Sequence, residues 1–230
     1  MWICQNRPVI TDADAAQPLP EHTRRFSGRR LLLAMVAIIV VAIIPVAIVL
    51  AKRPHDPNLE DLGMVPPFHL VDDRGQPIDQ EVFRGHPTIV SFLFTRCDTI
   101  CPVTTMKMAK IQEKTFDAGS KIKLVSISVD PKYDTPARLA EYAAKYHADD
   151  TRWRFITGDY DTVYRLVEGT FMNSMMREPD KANGVPNIAH SGFFMLVDGK
   201  LHLRGAYDSG DIHRLDALIR DARYLARTQK

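Results

Sequence analysis

The stretch Phe92-Leu93-Phe94-Thr95-Arg96-Cys97-Asp98-Thr99-Ile100-Cys101-Pro102 constrains the fold of this chain more than any other. The apolar run that feeds it, residues 88–95, is short, β-branched and aromatic, and reads as a buried strand. Pro102 and the pattern from Thr104 to Phe116 predict a helix over 102–117. A strand that turns directly into a helix is the repeating unit of an α/β fold. Here two cysteines stand at the junction. Unpaired N–H groups and the helix dipole at such a place are expected to favour thiolate over thiol. The pair is then a soft metal site, a redox dithiol or a plain structural disulfide.

The segments on either side extend the same unit. A strand over 122–129 ends at Asp130-Pro131, and Thr135-Pro136 opens a helix through His147 with Thr135 as its cap. A short strand over 153–156 and a helix over 160–168 follow. The runs 193–197 and 201–203 flank Asp198-Gly199 as a hairpin, and 212–226 closes the chain as a helix. Upstream, Phe68 to Val71 and Gln76 to Ile78 flank a glycine-containing turn as a first hairpin. Hairpin, three βα units, hairpin and helix are the element order of a thioredoxin-like α/β fold with an N-terminal β-hairpin. Strands 88–95 and 122–129, joined by a helix, should run parallel, so Cys97 and Asp130 share one sheet edge. A strand at 193–197 running the other way would begin on that edge, which brings His190 there too.

Residues 31–51 contain no charge and are almost all Leu, Ile, Val and Ala. At 1.5 Å per residue they match the ~30 Å hydrocarbon core, and Pro45 is tolerable in a membrane helix. Four arginines between 24 and 30 precede the run, against Lys52 and Arg53 after it. The positive-inside rule therefore predicts a cytoplasmic tail over 1–30, one transmembrane anchor over 31–51, a linker over 52–63 and an external domain over 64–230. The alternative is a cleaved signal peptide ending at Ala51, although the run is longer than an ordinary signal core of ~7–15 residues. In either case Cys97 and Cys101 face an oxidising compartment. A net charge of +2 over 230 residues, with no concentrated basic face, gives no case for nucleic acid.

Two thiols and one imidazole make a soft three-donor set suited to copper, with Asp130 in the same neighbourhood. Zinc would usually take a fourth ligand. His22, His55, His69, His86, His147, His202 and His213 have no comparable setting, and Met172, Met175 and Met176 read as core or docking surface. A thioredoxin-type reductase would show Cys-x-x-Cys and a proline where Ser191-Gly192 stands.

Phe94-Thr95-Arg96-Cys97 with Ile100-Cys101-Pro102, Ser128-Val129-Asp130-Pro131 with Asp134-Thr135-Pro136, and His190-Ser191 before an apolar strand together resemble the Sco/SenC family. The resemblance covers roughly residues 62–228. It implies a membrane-anchored, thioredoxin-like copper metallochaperone for cytochrome c oxidase assembly, rather than an enzyme. It also implies copper, as Cu(I) or Cu(II), held by Cys97, Cys101 and His190 and delivered to subunit II or a similar acceptor. Asp130 is then implied as an outer-sphere carboxylate or a weak Cu(II) ligand. The other reading is a thiol–disulfide oxidoreductase or redox sensor working on a Cys97–Cys101 disulfide and served by a thiol reductant. In a bacterium the domain would lie in the periplasm, tethered to the inner membrane. The family often has Pro after its first cysteine and an acidic residue before its histidine; this chain has Asp98 and Ala189.

Overall fold

Two segments, Thr88–Leu93 and Lys123–Ser128, are buried almost throughout and form the centre of the molecule. In a computed structural model, residues 28–51, 57–171, 175–178, 187–190 and 192–229 are described, with only the backbone described at 175–178 and 187–190. The chain divides between Arg53 and Pro54 into two units. The first contains helix α1 (Gly28–Ala51). Leu32, Leu33, Val36, Ile38, Val41 and Ile43 are all exposed on it, so it has no polar face. Among the described residues no helix is long and apolar enough to cross a membrane. Side chains of α1 are described only between Leu32 and Pro45, short of the ~20 residues that a span needs.

The second unit runs in order through β1 (His69–Asp72), β2 (Pro77–Asp79), β3 (Thr88–Leu93), α2 (Ile100–Lys114), β4 (Lys123–Ser128), α3 (Pro136–Lys145) and β5 (Trp153–Thr157). It continues through α4 (Tyr160–Tyr164), β6 (Met175–Glu178), β7 (Asn187–His190), β8 (Phe193–Val197), β9 (Leu203–Asp208) and α5 (Ile212–Thr228). Seven strands form one sheet in the order β2-β1-β5-β4-β3-β8-β9. The strands β5, β4 and β3 are parallel, while β8 runs antiparallel to β3 as the topology predicted. This is the expected α/β fold with its N-terminal hairpin.

Burial on both faces leaves no solvent to satisfy polar side chains in the central strands, so they bond to each other. Ser91 and Ser126 lie 2.8 Å apart through their hydroxyls, and Trp153 donates its Nε1 proton to Ser126 at 2.9 Å. Tyr142 of α3 meets Phe155 of β5 edge-on and bonds Thr105 of α2 at 2.9 Å, which ties both helices to that face. On the other face Phe68, Phe83, Phe171 and Phe92 pack edge-on or tilted against one another in a row. Thr135 caps α3 by accepting from the Arg138 N–H, with Pro136 at its first position.

Several boundaries depart from the sequence reading. Helix α2 starts at Ile100, so Cys101 and Pro102 lie inside its first turn. The helix expected over 160–168 is α-helical only to Tyr164 and widens to a π-turn over Arg165–Thr170. Strands β6 and β7, paired as a separate two-stranded sheet, were not anticipated. In the 198–202 turn the left-handed residue is Leu201, with φ 71°, and not Gly199. Glycine is needed at 199 for space, since a Cβ there would stand 2.8 Å from the His86 nitrogen.

Candidate metal and redox site

The carboxyl ends of β3 and β4 meet at one edge of the sheet, and the cysteine turn springs from it. The Cys97 N–H bonds back to the Phe94 carbonyl at 3.1 Å, closing a turn directly after the strand. The Cys97 sulfur lies 3.5 Å from the Thr99 hydroxyl and is partly exposed, whereas Cys101 is 1% exposed. The two are not joined by a disulfide. Cys101 is hydrogen-bonded to Cys97, and that bond, burial and the neighbouring charge of Cys97 push its thiol far up. The Phe94 N–H offsets this only in part. The expectation that a helix start favours thiolate is thus reversed for Cys101. A dipole contribution of ~0.3–1 kcal/mol is outweighed by desolvation and by the second sulfur, effects that can reach several pK units.

Two aspartates brace this turn from the β4 side. Arg96, the residue before Cys97, donates to Asp130 through Nε at 2.9 Å and approaches it through Nη2 at 2.8 Å. Asp130 therefore sits at the same edge as the cysteines, as predicted, with its charge met by Arg96. The Arg96 guanidinium also lies 4.2 Å over the Tyr133 ring, whose Arg138 contact is 4.0 Å. Asp134, fully buried, accepts from the Thr95 N–H at 3.1 Å, the Thr95 hydroxyl at 2.5 Å and the Ser128 hydroxyl at 2.6 Å. Burial raises its pKa, with those three bonds opposing. Sequence reasoning noted Asp134 within a motif and gave it no role. The signal available was its spacing, four residues beyond Asp130 across a prolyl turn.

His190 ends β7, with Met175 as its Cα partner in β6. Its imidazole lies outside the described side chains. Two residues later Gly192 is described, and a Cβ placed there would meet Ile100 Cδ1 at 3.0 Å and Ser209 Oγ at 3.0 Å. Ile100 stands between the two cysteines. Gly192 therefore passes beside the Ile100 side chain. Among the described residues no group of three or more His, Cys, Asp and Glu side chains is gathered to hold a metal. Of the other described histidines, His202 bonds Asp61 at 2.9 Å and His86 lies at the opposite end of β3.

The family model described as SCO1/SenC matches residues 57–225. The SCO1 protein homolog of Bacillus subtilis is 32% identical over 139 residues, which is 60% of this chain and 70% of that protein. The structure of BsSco, described as a member of the Sco family of cytochrome c oxidase assembly proteins in which a disulfide switch was identified, superposes with a TM-score of 0.63. It is 26% identical and covers 74% of this chain and 98% of its own. Yeast Sco1 with copper bound superposes with a TM-score of 0.60 at 24% identity, over 73% of this chain and 96% of that one, a likeness of fold. A match that takes in the hairpin, the cysteine turn, both aspartates and the closing helix leaves one conclusion: the chain belongs to the SCO1/SenC family.

Proposed function

We propose that this protein binds one copper ion through Cys97, Cys101 and His190 and passes it to a copper site of cytochrome c oxidase. The observation that carries this reading is the hydrogen-bonded thiol pair at the carboxyl edge of the sheet, in a chain of a family whose structures include a copper-bound member. The donor chemistry fits: two sulfurs select Cu(I) and an imidazole is a common third donor, while Cu(II) can add water. Gly192 against Ile100 supports the approach of His190, since two residues of chain reach at most ~7 Å. Asp130 acts from outside the ligand set, through Arg96 on the backbone of Cys97. Binding displaces the thiol protons, so loading is favoured as pH rises. Residues 31–51 anchor the chain in the inner membrane of a bacterium with residues 64–230 in the periplasm. The acceptor is subunit II of the oxidase or a similar protein.

Metal analysis of protein purified under reducing conditions tests this reading. One copper per chain is expected. The change His190→Ala should weaken copper binding by at least about tenfold while leaving dithiol exchange intact. Equal retention of copper by the variant would remove His190 from the ligand set.

The bond between the two thiols favours a second reading, a thiol–disulfide oxidoreductase. Cys97 attacks an acceptor disulfide, and Cys101 then resolves the mixed disulfide. Two electrons and two protons leave the pair, and a thiol reductant restores it. Poor copper binding by the reduced protein, with rapid turnover of a disulfide substrate, would favour this reading over the first.

A further inference from the structure

We propose that the end of the domain opposite the cysteines binds the phosphate headgroups of anionic phospholipid. The proposal rests on the membrane anchor proposed above. The chain enters the domain at this end. Leu62 and Gly63 bond Leu203, Val65 bonds the Leu201 carbonyl at 2.8 Å, and Met64 bridges His202. The 198–202 turn lies in turn against Gly85, just before β3, through a 2.9 Å bond from the Gly85 N–H to the Gly199 carbonyl.

Beside that entry a cavity of about 210 Å³ opens at the starts of β4 and β5, lined by Glu81, His86, Lys123, Arg152 and Arg154 among others. The one carboxylate in that group, Glu81, is held by Arg84. Arg152 is spent elsewhere, donating to the Thr115 hydroxyl at 2.7 Å below the end of α2. Lys123 has only the Thr151 carbonyl, at 2.8 Å. Arg154 pairs with Asp72 at 3.9 Å, and its buried Nη1 has no hydrogen-bond partner among the described residues. Burial and the Lys123 charge depress the His86 pKa, while burial and the charges of Arg152 and Arg154, opposed by Asp149, depress that of Lys123. Positive charge is crowded here and countered only in part by Asp72 and Asp149, and a phosphate oxygen would add the acceptor that the guanidinium and ammonium groups favour.

A second cavity, of about 180 Å³, repeats the pattern around the end of α5, with Asp117, Lys121, Arg223 and Arg227 in its lining. Arg223 holds Asp117 through Nη2, yet its buried Nε has no partner among the described residues. The bond from the Gly199 N–H to Gln229, at 2.9 Å, fixes this cavity to the same end. Two cation-lined hollows, each with an arginine nitrogen unpaired among the described residues, lie at the end of the domain where Leu62 to Val65 enter it. Anionic headgroups, which carry many phosphates on one plane, fit that arrangement better than a single free phosphate. Seated so, the domain holds its thiols away from the bilayer by the length of β3, roughly 20 Å.

The test is hydrogen exchange on the full chain in phosphatidylcholine nanodiscs, with and without phosphatidylglycerol. Amides in 82–90, 121–126 and 223–229 should exchange several-fold more slowly, on the order of tenfold, only with phosphatidylglycerol. Molar NaCl should cancel the protection, and Lys123→Gln with Arg154→Gln should reduce it at an unchanged unfolding temperature. Equal exchange in the two disc types overturns the proposal, as does equal protection in phosphatidylcholine discs given inorganic phosphate. The amides of 31–51 report insertion separately, so failure of the anchor and failure of headgroup binding are told apart.

Discussion

Cys97 and Cys101 are four positions apart in sequence, the first partly exposed and the second buried. Cys101 is nearly sealed and its thiol is pushed up by the bond to Cys97 and by burial, while the Cys97 sulfur is reachable from solvent. Iodoacetamide at neutral pH should therefore alkylate Cys97 at least about tenfold faster than Cys101, as read by mass spectrometry of the tryptic peptides; equal rates would contradict this arrangement. Asp134 supplies a second test. Its folded-state pKa is raised, so the folded protein holds a proton there that the unfolded chain releases, and stability falls as pH rises from the carboxylate range towards the folded value. The variant Asp134→Asn lacks that loss. Its deficit against the parent in thermal unfolding should shrink between pH 4 and pH 7, and a constant deficit would contradict the raised pKa. Asp134→Ala strands three donors and should cost about 2–4 kcal/mol at pH 4, with the same shrinking of the deficit towards pH 7.

At the scale of elements, the strand-turn-helix at 88–114 was legible because its signals are local: an apolar run, a polar turn and a proline near a helix start. The parallel pairing of β3 with β4 and the reversed β8 followed from connection rules. The pairing of β6 with β7 escaped because Met175–Glu178 and Asn187–His190 show no period-two alternation, without which the Asn183-Gly184 turn signal between them does not identify a hairpin. Gly199 illustrates a different blindness. Asp198-Gly199 reads as a turn glycine chosen for its backbone freedom, yet the left-handed residue is Leu201 and Gly199 is required by the close approach of Gly85 and His86. Gly199→Ala should accordingly lower the unfolding temperature, by roughly 1–3 kcal/mol of stability. A neutral result in calorimetry would show that the 85–86 backbone yields.

For the molecule as a whole, the core of the described residues lies within the second unit. Residues 57–230 expressed alone should unfold cooperatively at the temperature of the full chain, within about 2 °C; a broad or lower transition would mean that the first unit contributes. The sequence by itself determined the α/β order, the strand-to-helix setting of the cysteines and the resemblance that the family match upholds, since each depends on residue type at short range. It placed Asp130 at the cysteine edge by topology alone. Tertiary structure alone decided that Asp130 is met by Arg96, that Asp134 underpins the turn, and that the bond to Cys97, together with burial, overrides the helix dipole at Cys101. Those outcomes depend on which charges and sulfurs are brought together in a space that excludes water, and spacing along the chain does not encode dielectric or distance.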